Sequence, residues 1–238
     1  MSKGHKNESF NQLKNSGFVY IIRIHAQLFI MAAVYFITAG SLDIGRAWVY
    51  FGITAGTYFI GSLILIRYNP ELLNERAKRR DNTKPWDKAL LSLYLLIGFF
   101  GTHIVAGLDS RFGWSSLNII YMIPGAVLYV AAAFIQIISM LKNKYFEATV
   151  RMQRDREQQV IKDGPYKIVR HPGYASVLLS FTAIPFMLGS FYALICTAAV
   201  FIIIITRTAL EDRMLQEELP GYSQYAKEVK SRLFPGIW

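Results

Sequence analysis

The sequence predicts an all-α, polytopic membrane protein with about six transmembrane helices. Three observations predict it. The chain of 238 residues is 53% hydrophobic and 18% charged, and six stretches (24–42, 47–66, 89–108, 116–141, 174–188 and 191–206) contain no Asp, Glu, Lys or Arg at all. A helix of a soluble domain alternates apolar and charged positions so as to have two faces, and these stretches do not. The first four are long enough to cross a hydrocarbon core of roughly 30 Å, and the last two are near the lower limit. The third observation is the placing of charge. Of 26 Lys and Arg residues, 24 fall in alternate connecting segments and only Arg46 and Arg111 in the others. That is the positive-inside pattern of a multi-pass integral membrane protein with both termini cytoplasmic.

These facts exclude a soluble globular enzyme, a disordered chain and a disulfide-stapled one. The net charge of +10 is accounted for by orientation, with some attraction to anionic lipid head groups; nucleic-acid binding is not needed. Cys196 is the single cysteine, so it has no partner for an intramolecular disulfide and reads as packing. The polar N-terminus is followed by a full span and does not resemble a cleaved signal peptide. No internal repeat is visible.

Residues 1–17 read as a polar cytoplasmic N-terminus, and 18–141 as four transmembrane helices with a basic cytoplasmic loop at 67–88. Pro70 suits the first position of a short interfacial helix in that loop. The outer turn 107–114 places Phe112 and Trp114 at head-group depth, and Pro124 is expected to kink the longest span. His25 and His103 fall within the first and third spans. An intramembrane ionisable group is a functional hint, but neutral hydrogen-bonded packing is the simpler reading. Residues 142–238 differ in character. A polar segment leads into Gly164-Pro165-Tyr166 and Arg170-His171-Pro172-Gly173-Tyr174. A tight antiparallel hairpin, 174–206, turns at Gly189-Ser190. The last span then runs on past the membrane through Arg207, Glu211, Asp212 and Leu215; Arg207 and Glu211, four apart, share one face. A further helix carries Tyr222 and Tyr225. Four scattered histidines and one cysteine offer no metal-ligand spacing, so no metal is expected.

Taken alone, Arg170-His171-Pro172 is an ordinary interfacial helix start and Arg207/Glu211 a solvated intrahelical pair. In order along one chain they carry more. The run Gly-Pro-Tyr…Arg-His-Pro-Gly-Tyr at 164–174, the apolar hairpin, Arg207…Glu211-Asp212…Leu215, and Gly221-Tyr222…Tyr225…Pro235 resembles the isoprenylcysteine carboxyl methyltransferase family, within a wider group that includes membrane phospholipid methyltransferases. The resemblance covers about residues 150–238, and it implies S-adenosylmethionine as methyl donor, held in a cytoplasmic, C-terminal helical site with no Rossmann fold. In agreement, no Gly-x-Gly-x-x-Gly loop follows a strand-like segment.

Carried over residue by residue, the resemblance implies that Gln153, Gln158, Gln159, Val160 and Ile161 line the cofactor, with Tyr166 near its adenosine. It implies that His171, Pro172, Gly173 and Tyr174 form the turn that grips it. Glu211 would bind a polar group of the cofactor, and Arg207 would face the acceptor, where a guanidinium can hold a carboxylate in a bidentate pair; these two are the catalytic candidates. The chain departs from the family in having Asp212 as the second acid and Gln158 where prenylcysteine enzymes often carry a His. The acceptor is therefore open between a prenylcysteine carboxylate, a phospholipid amine and a small thiol. Outside the enzyme class, a transporter would be expected to carry charged groups within its spans. A lipid-binding scaffold of the same fold is the other reading.

Overall fold

A computed structural model describes residues 12–78, 80 and 82–238. The expected N-terminal segment 1–17 thus lies largely outside the described residues, as does Arg79 of the basic loop. Among the described residues every regular element is helical.

Among the described residues, and leaving aside short 3-10 turns, there are eight helices: α1 (Asn15–Ala39), α2 (Gly45–Tyr68), α3 (Pro70–Arg76), α4 (Pro85–Phe112), α5 (Met122–Lys142), α6 (Pro172–Leu188), α7 (Ala193–Glu218) and α8 (Tyr222–Glu228). Five of them, α1, α2, α4, α5 and α7, are long and apolar enough to span a bilayer, and α6 is a shorter apolar helix between two of these. The chain is a polytopic membrane protein.

Hydrogen bonds from Asn69 to Met140, from Arg207 to Asp87 and from Arg156 to Glu71 gather the Lys- and Arg-rich segments at one end of the bundle, called here the basic end. α3 lies there as the sequence predicts. Pro70 occupies its first turn, and Asn69 caps it by accepting from Leu72 N–H at 3.3 Å and donates to Met140 O at 2.8 Å. Leu72 and Leu73 are buried beneath it. Pro124 does not kink a span. A 3-10 turn at Ile119–Tyr121, capped by Asn118, precedes α5, so Pro124 falls in the first turn of α5, where no intrahelical N–H donor is required. The hairpin connection is four residues, 189–192, rather than two.

Close helix contact in a membrane depends on small residues. In α4, residues Tyr94–Gly101 form a π-helical stretch. A Cβ on Gly98 within it would lie 2.9 Å from Phe181 Cζ of α6 and 3.3 Å from Val200 of α7. Only glycine lets α4 meet the hairpin there.

The opposite end is fastened by two ionisable side chains. Arg46 donates to Phe186 O (2.9 Å) and Met187 O (3.0 Å), carbonyls left open at the C-terminus of α6, and to Leu117 O (3.0 Å) of the connection before α5. Asp109, buried, accepts from Ser115 N–H at 2.6 Å and from the Ser115 and Ser190 hydroxyls at 2.5 Å. Gly189 is required twice over. Its φ of +82° is left-handed, and a side chain would run into the Arg46 guanidinium. Arg46→Ala is expected to lower Tm in detergent by roughly 5 °C, the effect of about 2 kcal/mol in a chain of this size. An unchanged melting curve would remove this clamp from the account.

Candidate functional site

At the basic end the connection from α5 to α6 folds back beneath the bundle. Its conformation comes from side chains satisfying backbone groups where there is no regular ladder. Asn143 Oδ1 accepts from Tyr145 N–H at 2.9 Å, Tyr145 donates to Glu157 O at 3.0 Å, and Gln153 donates to Tyr145 O at 2.7 Å. Gln158 accepts from Gln153 N–H at 2.8 Å. The loop is also tied to the 67–88 segment. Arg80 meets Glu147 (2.8 Å) and Glu75 (2.6 Å), Arg156 meets Glu71 (2.9 Å), and Arg151 meets Glu147 (2.9 Å) and Asp155 (2.6 Å).

The Arg170-His171-Pro172-Gly173-Tyr174 turn begins α6 and is organised by Asp212 of α7. Asp212, fully buried, accepts both arms of Arg170 (2.7 and 2.9 Å), His171 Nε2 (3.1 Å), Tyr222 Oη (3.0 Å), Gln216 Nε2 (2.9 Å) and Arg232 Nε (2.9 Å). One carboxylate therefore joins the turn, α7, α8 and the C-terminal segment. That segment is held by backbone as well, with Arg170 N–H on Ser231 O at 3.0 Å and His171 N–H on Arg232 O at 2.9 Å. Burial works against the Arg170 charge, but Asp212 outweighs it and the guanidinium is held above its ordinary value. Burial, reinforced by Asp212, pushes the Tyr222 phenol up, so it stays a neutral donor. Gly173 is where the turn passes closest to the loop: a Cβ would be 2.5 Å from the Phe146 ring.

Across from the turn stand Arg207 and Glu211, which share a face of α7. Tyr174 donates to Glu211 Oε2; Glu211 Oε1 has no hydrogen-bond partner among the described residues. Arg207 lies over the Tyr174 ring, 5.3 Å from its centroid. Its guanidinium is already matched. Nε meets Asp87 at 2.6 Å and Nη2 meets Ala148 O at 2.5 Å, while Asp87 also accepts Val150 N–H at 2.8 Å.

All twelve residues singled out in the sequence (Gln153, Gln158, Gln159, Val160, Ile161, Tyr166, His171, Pro172, Gly173, Tyr174, Arg207 and Glu211) line one cavity of about 590 Å³. They are not equivalent within it. Gln153 and Gln158 spend amide groups on loop backbone, and Tyr166 Oη, its phenol raised by burial, accepts from Asn143 at 3.0 Å. Glu211 presents a free oxygen. The sequence reading missed Asp87 and Asn143, and it named Tyr222, Tyr225 and Asp212 within the motif without giving them a role. Tyr225 donates to Tyr166 O at 2.7 Å and so holds the aromatic wall. The cavity also reaches far beyond the C-terminal region. Its lining includes Tyr20 of α1, Tyr58 of α2, Phe99 of α4 and Tyr129 of α5. It is thus polar at the basic end and enters the membrane-spanning part of the bundle. Among the described residues no group of three His, Cys, Asp or Glu side chains is placed to hold a metal ion.

Residues 120–220 match the phospholipid methyltransferase family model (PEMT). That interval runs from the start of α5 through the end of α7 and contains all twelve predicted site residues. An uncharacterized protein of Bacillus subtilis (strain 168), YpbQ, is 38% identical over 61 residues, which is 25% of this chain and 36% of that protein. The chain therefore matches little more than a third of the length of this relative. The resemblance to the isoprenylcysteine and phospholipid methyltransferase group resides in this C-terminal part of the chain.

Proposed function

We propose that this chain is an integral membrane methyltransferase that takes its methyl group from S-adenosylmethionine and passes it to a lipidic acceptor. The observation that carries the proposal is the continuity of one cavity, charged and polar around Glu211 and His171 and lined largely by aromatic and aliphatic side chains where it enters the spans. A water-soluble donor and a bilayer-dwelling acceptor need such a space in order to meet. The family match at residues 120–220 points the same way, toward a membrane methyltransferase with a lipid-type substrate.

The residues present fit this donor. Glu211 Oε1 is a free carboxylate oxygen beside the cavity, suited to a ribose hydroxyl or an ammonium group. Tyr166, Tyr222 and Tyr225 supply aromatic surface at the same end, and Gly173 removes side-chain bulk at the turn. When bound, the cofactor supplies a methyl group on a sulfonium centre, a displacement helped mainly by alignment and exclusion of water. The protein's share is therefore positional. Asp212 fixes the turn, Tyr174 fixes the Glu211 carboxylate, and the loop 143–161, tied to the 67–88 segment, covers the basic end.

Two readings of the acceptor follow. The family resemblance names a prenylcysteine carboxylate facing Arg207. The Asp87–Arg207 pair favours a second, in which the acceptor lacks a full negative charge, as a lipid amine does once it has lost its proton, because the guanidinium is already neutralised. Labelled methyl transfer separates them, tested on a membrane-lipid extract and on a synthetic prenylcysteine. Transfer to the prenylcysteine supports the first, and transfer only to extract lipids supports the second. Transfer to neither counts against the activity itself.

A further inference from the structure

The membrane-embedded part of the cavity is not a plain hydrocarbon sleeve. Tyr50 and Tyr58 of α2, Tyr94 and His103 of α4 and Tyr129 of α5 all line it. Five polar aromatic side chains inside apolar spans call for a reason, because a hydroxyl facing hydrocarbon without a partner is costly.

Hydrogen bonding accounts for only part of the cluster. His103 Nδ1 lies 2.6 Å from Phe99 O, a pure acceptor, so Nδ1 carries the proton. Nε2 is then an acceptor, and Tyr50 Oη donates to it at 3.1 Å. The pair is self-satisfied. Tyr129 packs edge-on against Tyr50 at 5.8 Å, Tyr94 packs edge-on against Phe99 and Phe181 at 5.6 Å, and Tyr58 meets His25 at 6.3 Å. These contacts fix the rings and leave the hydroxyls over. Among the described residues the hydroxyls of Tyr58 and Tyr94 have no hydrogen-bond partner, and that of Tyr129 has only the Thr54 hydroxyl, which itself donates to Tyr50 O at 2.8 Å. Tyr94 stands on the π-helical stretch of α4, a local widening of the helix that recurs at functional sites.

We propose that Tyr58, Tyr94 and Tyr129 form a second subsite, which takes a hydrogen-bonding oxygen carried within the otherwise apolar part of the acceptor. The inference rests on the reading of the cavity as the place of a lipidic methyl acceptor, and it narrows that class. An unsubstituted alkyl chain drawn into this region strips water from these phenols and returns no bond. A chain bearing a ketone, ester or hydroxyl at the right depth accepts from them. Such pairing is where a site discriminates strongly, since a buried donor left unmatched is penalised far more than a lost methylene.

The test uses the full chain in detergent micelles and a defined set of probes. These are hexadecanoate and its oxo isomers, with the ketone moved stepwise along the chain, each measured by displacement of a fluorescent fatty acid. At least one oxo isomer is expected to bind wild type about tenfold more tightly than hexadecanoate. In Tyr58→Phe/Tyr129→Phe that preference should fall below about twofold, with hexadecanoate bound at least as well as before. Retained hexadecanoate binding separates loss of the subsite from loss of the fold. The proposal is overturned if no oxo isomer is preferred by wild type, if neither kind of probe binds, or if the preference survives in the double variant. Methyl transfer followed in parallel keeps the two readings apart. A preference without any transfer removes the activity and leaves the subsite, whereas transfer without a preference removes the subsite alone.

Discussion

Replacing Asp212 with Ala is expected to be the most damaging single substitution in the basic end. Its carboxylate is fully buried and accepts from Arg170, His171, Tyr222, Gln216 and Arg232. Removing it leaves the Arg170 guanidinium, only 5% exposed, without its counter-charge. Breaking a buried pair in this way costs about 3–5 kcal/mol, a large fraction of the roughly 5–15 kcal/mol that holds a typical domain together. The expected result is a loss of roughly 8–12 °C in Tm, with the C-terminal segment 229–238 exchanging its amide hydrogens early. Arg213 supplies the control. It pairs with Glu217 one residue further along α7, at 2.8 Å on the exposed face, and Arg213→Ala should leave the melting curve unchanged.

The second large effect is expected at Asp87. It neutralises Arg207 from 120 residues away and also holds Val150 N–H, so one side chain fixes both the candidate acceptor-facing group and the loop that covers it. Asp87→Ala should destabilise by about 3 kcal/mol or more, because Arg207 then keeps only the Ala148 carbonyl. Arg207→Met in the same protein should restore part of the loss, with a coupling of about 2 kcal/mol in the double-mutant cycle. Additive losses would mean that the two side chains do not act as a pair. The functional consequence follows from the geometry. With Asp87 gone, Arg207 is free to bind an anionic acceptor more tightly, so any activity on a prenylcysteine carboxylate should show a lower KM while the loop loses order.

The spans, the interfacial helix at Pro70 and the run of site residues were legible in the sequence because each is a local signal: an absence of charge, a proline at a helix start, a spaced motif. Asp87 was not legible. A lone acid among Lys84 and Lys88 in a basic loop reads as solvated, and only the folded chain brings it to Arg207. Asp212 was half legible. Adjacent residues on a helix point about 100° apart, so Glu211 and Asp212 could not both face one cavity, and the turn behind α7 is where the second acid goes. The π-helical stretch at Tyr94–Gly101 leaves no trace in a segment that is simply apolar, and Pro124 gave the wrong signal because the capping turn at Asn118 moved the helix start toward it. The extension of the cavity into α1, α2 and α4 depends on which faces of these uniformly apolar helices meet, and the charge-free stretches carry too little periodicity to reveal it.

In the proposed function, Glu211 holds a soluble methyl donor within the cavity. Calorimetric titration of S-adenosylmethionine into the purified protein in detergent tests it most directly. Saturable binding to wild type, weakened about tenfold or more in Glu211→Ala and little changed in Tyr58→Phe, is the predicted result. No heat of binding to wild type at millimolar cofactor, or equal affinity in Glu211→Ala, would contradict it.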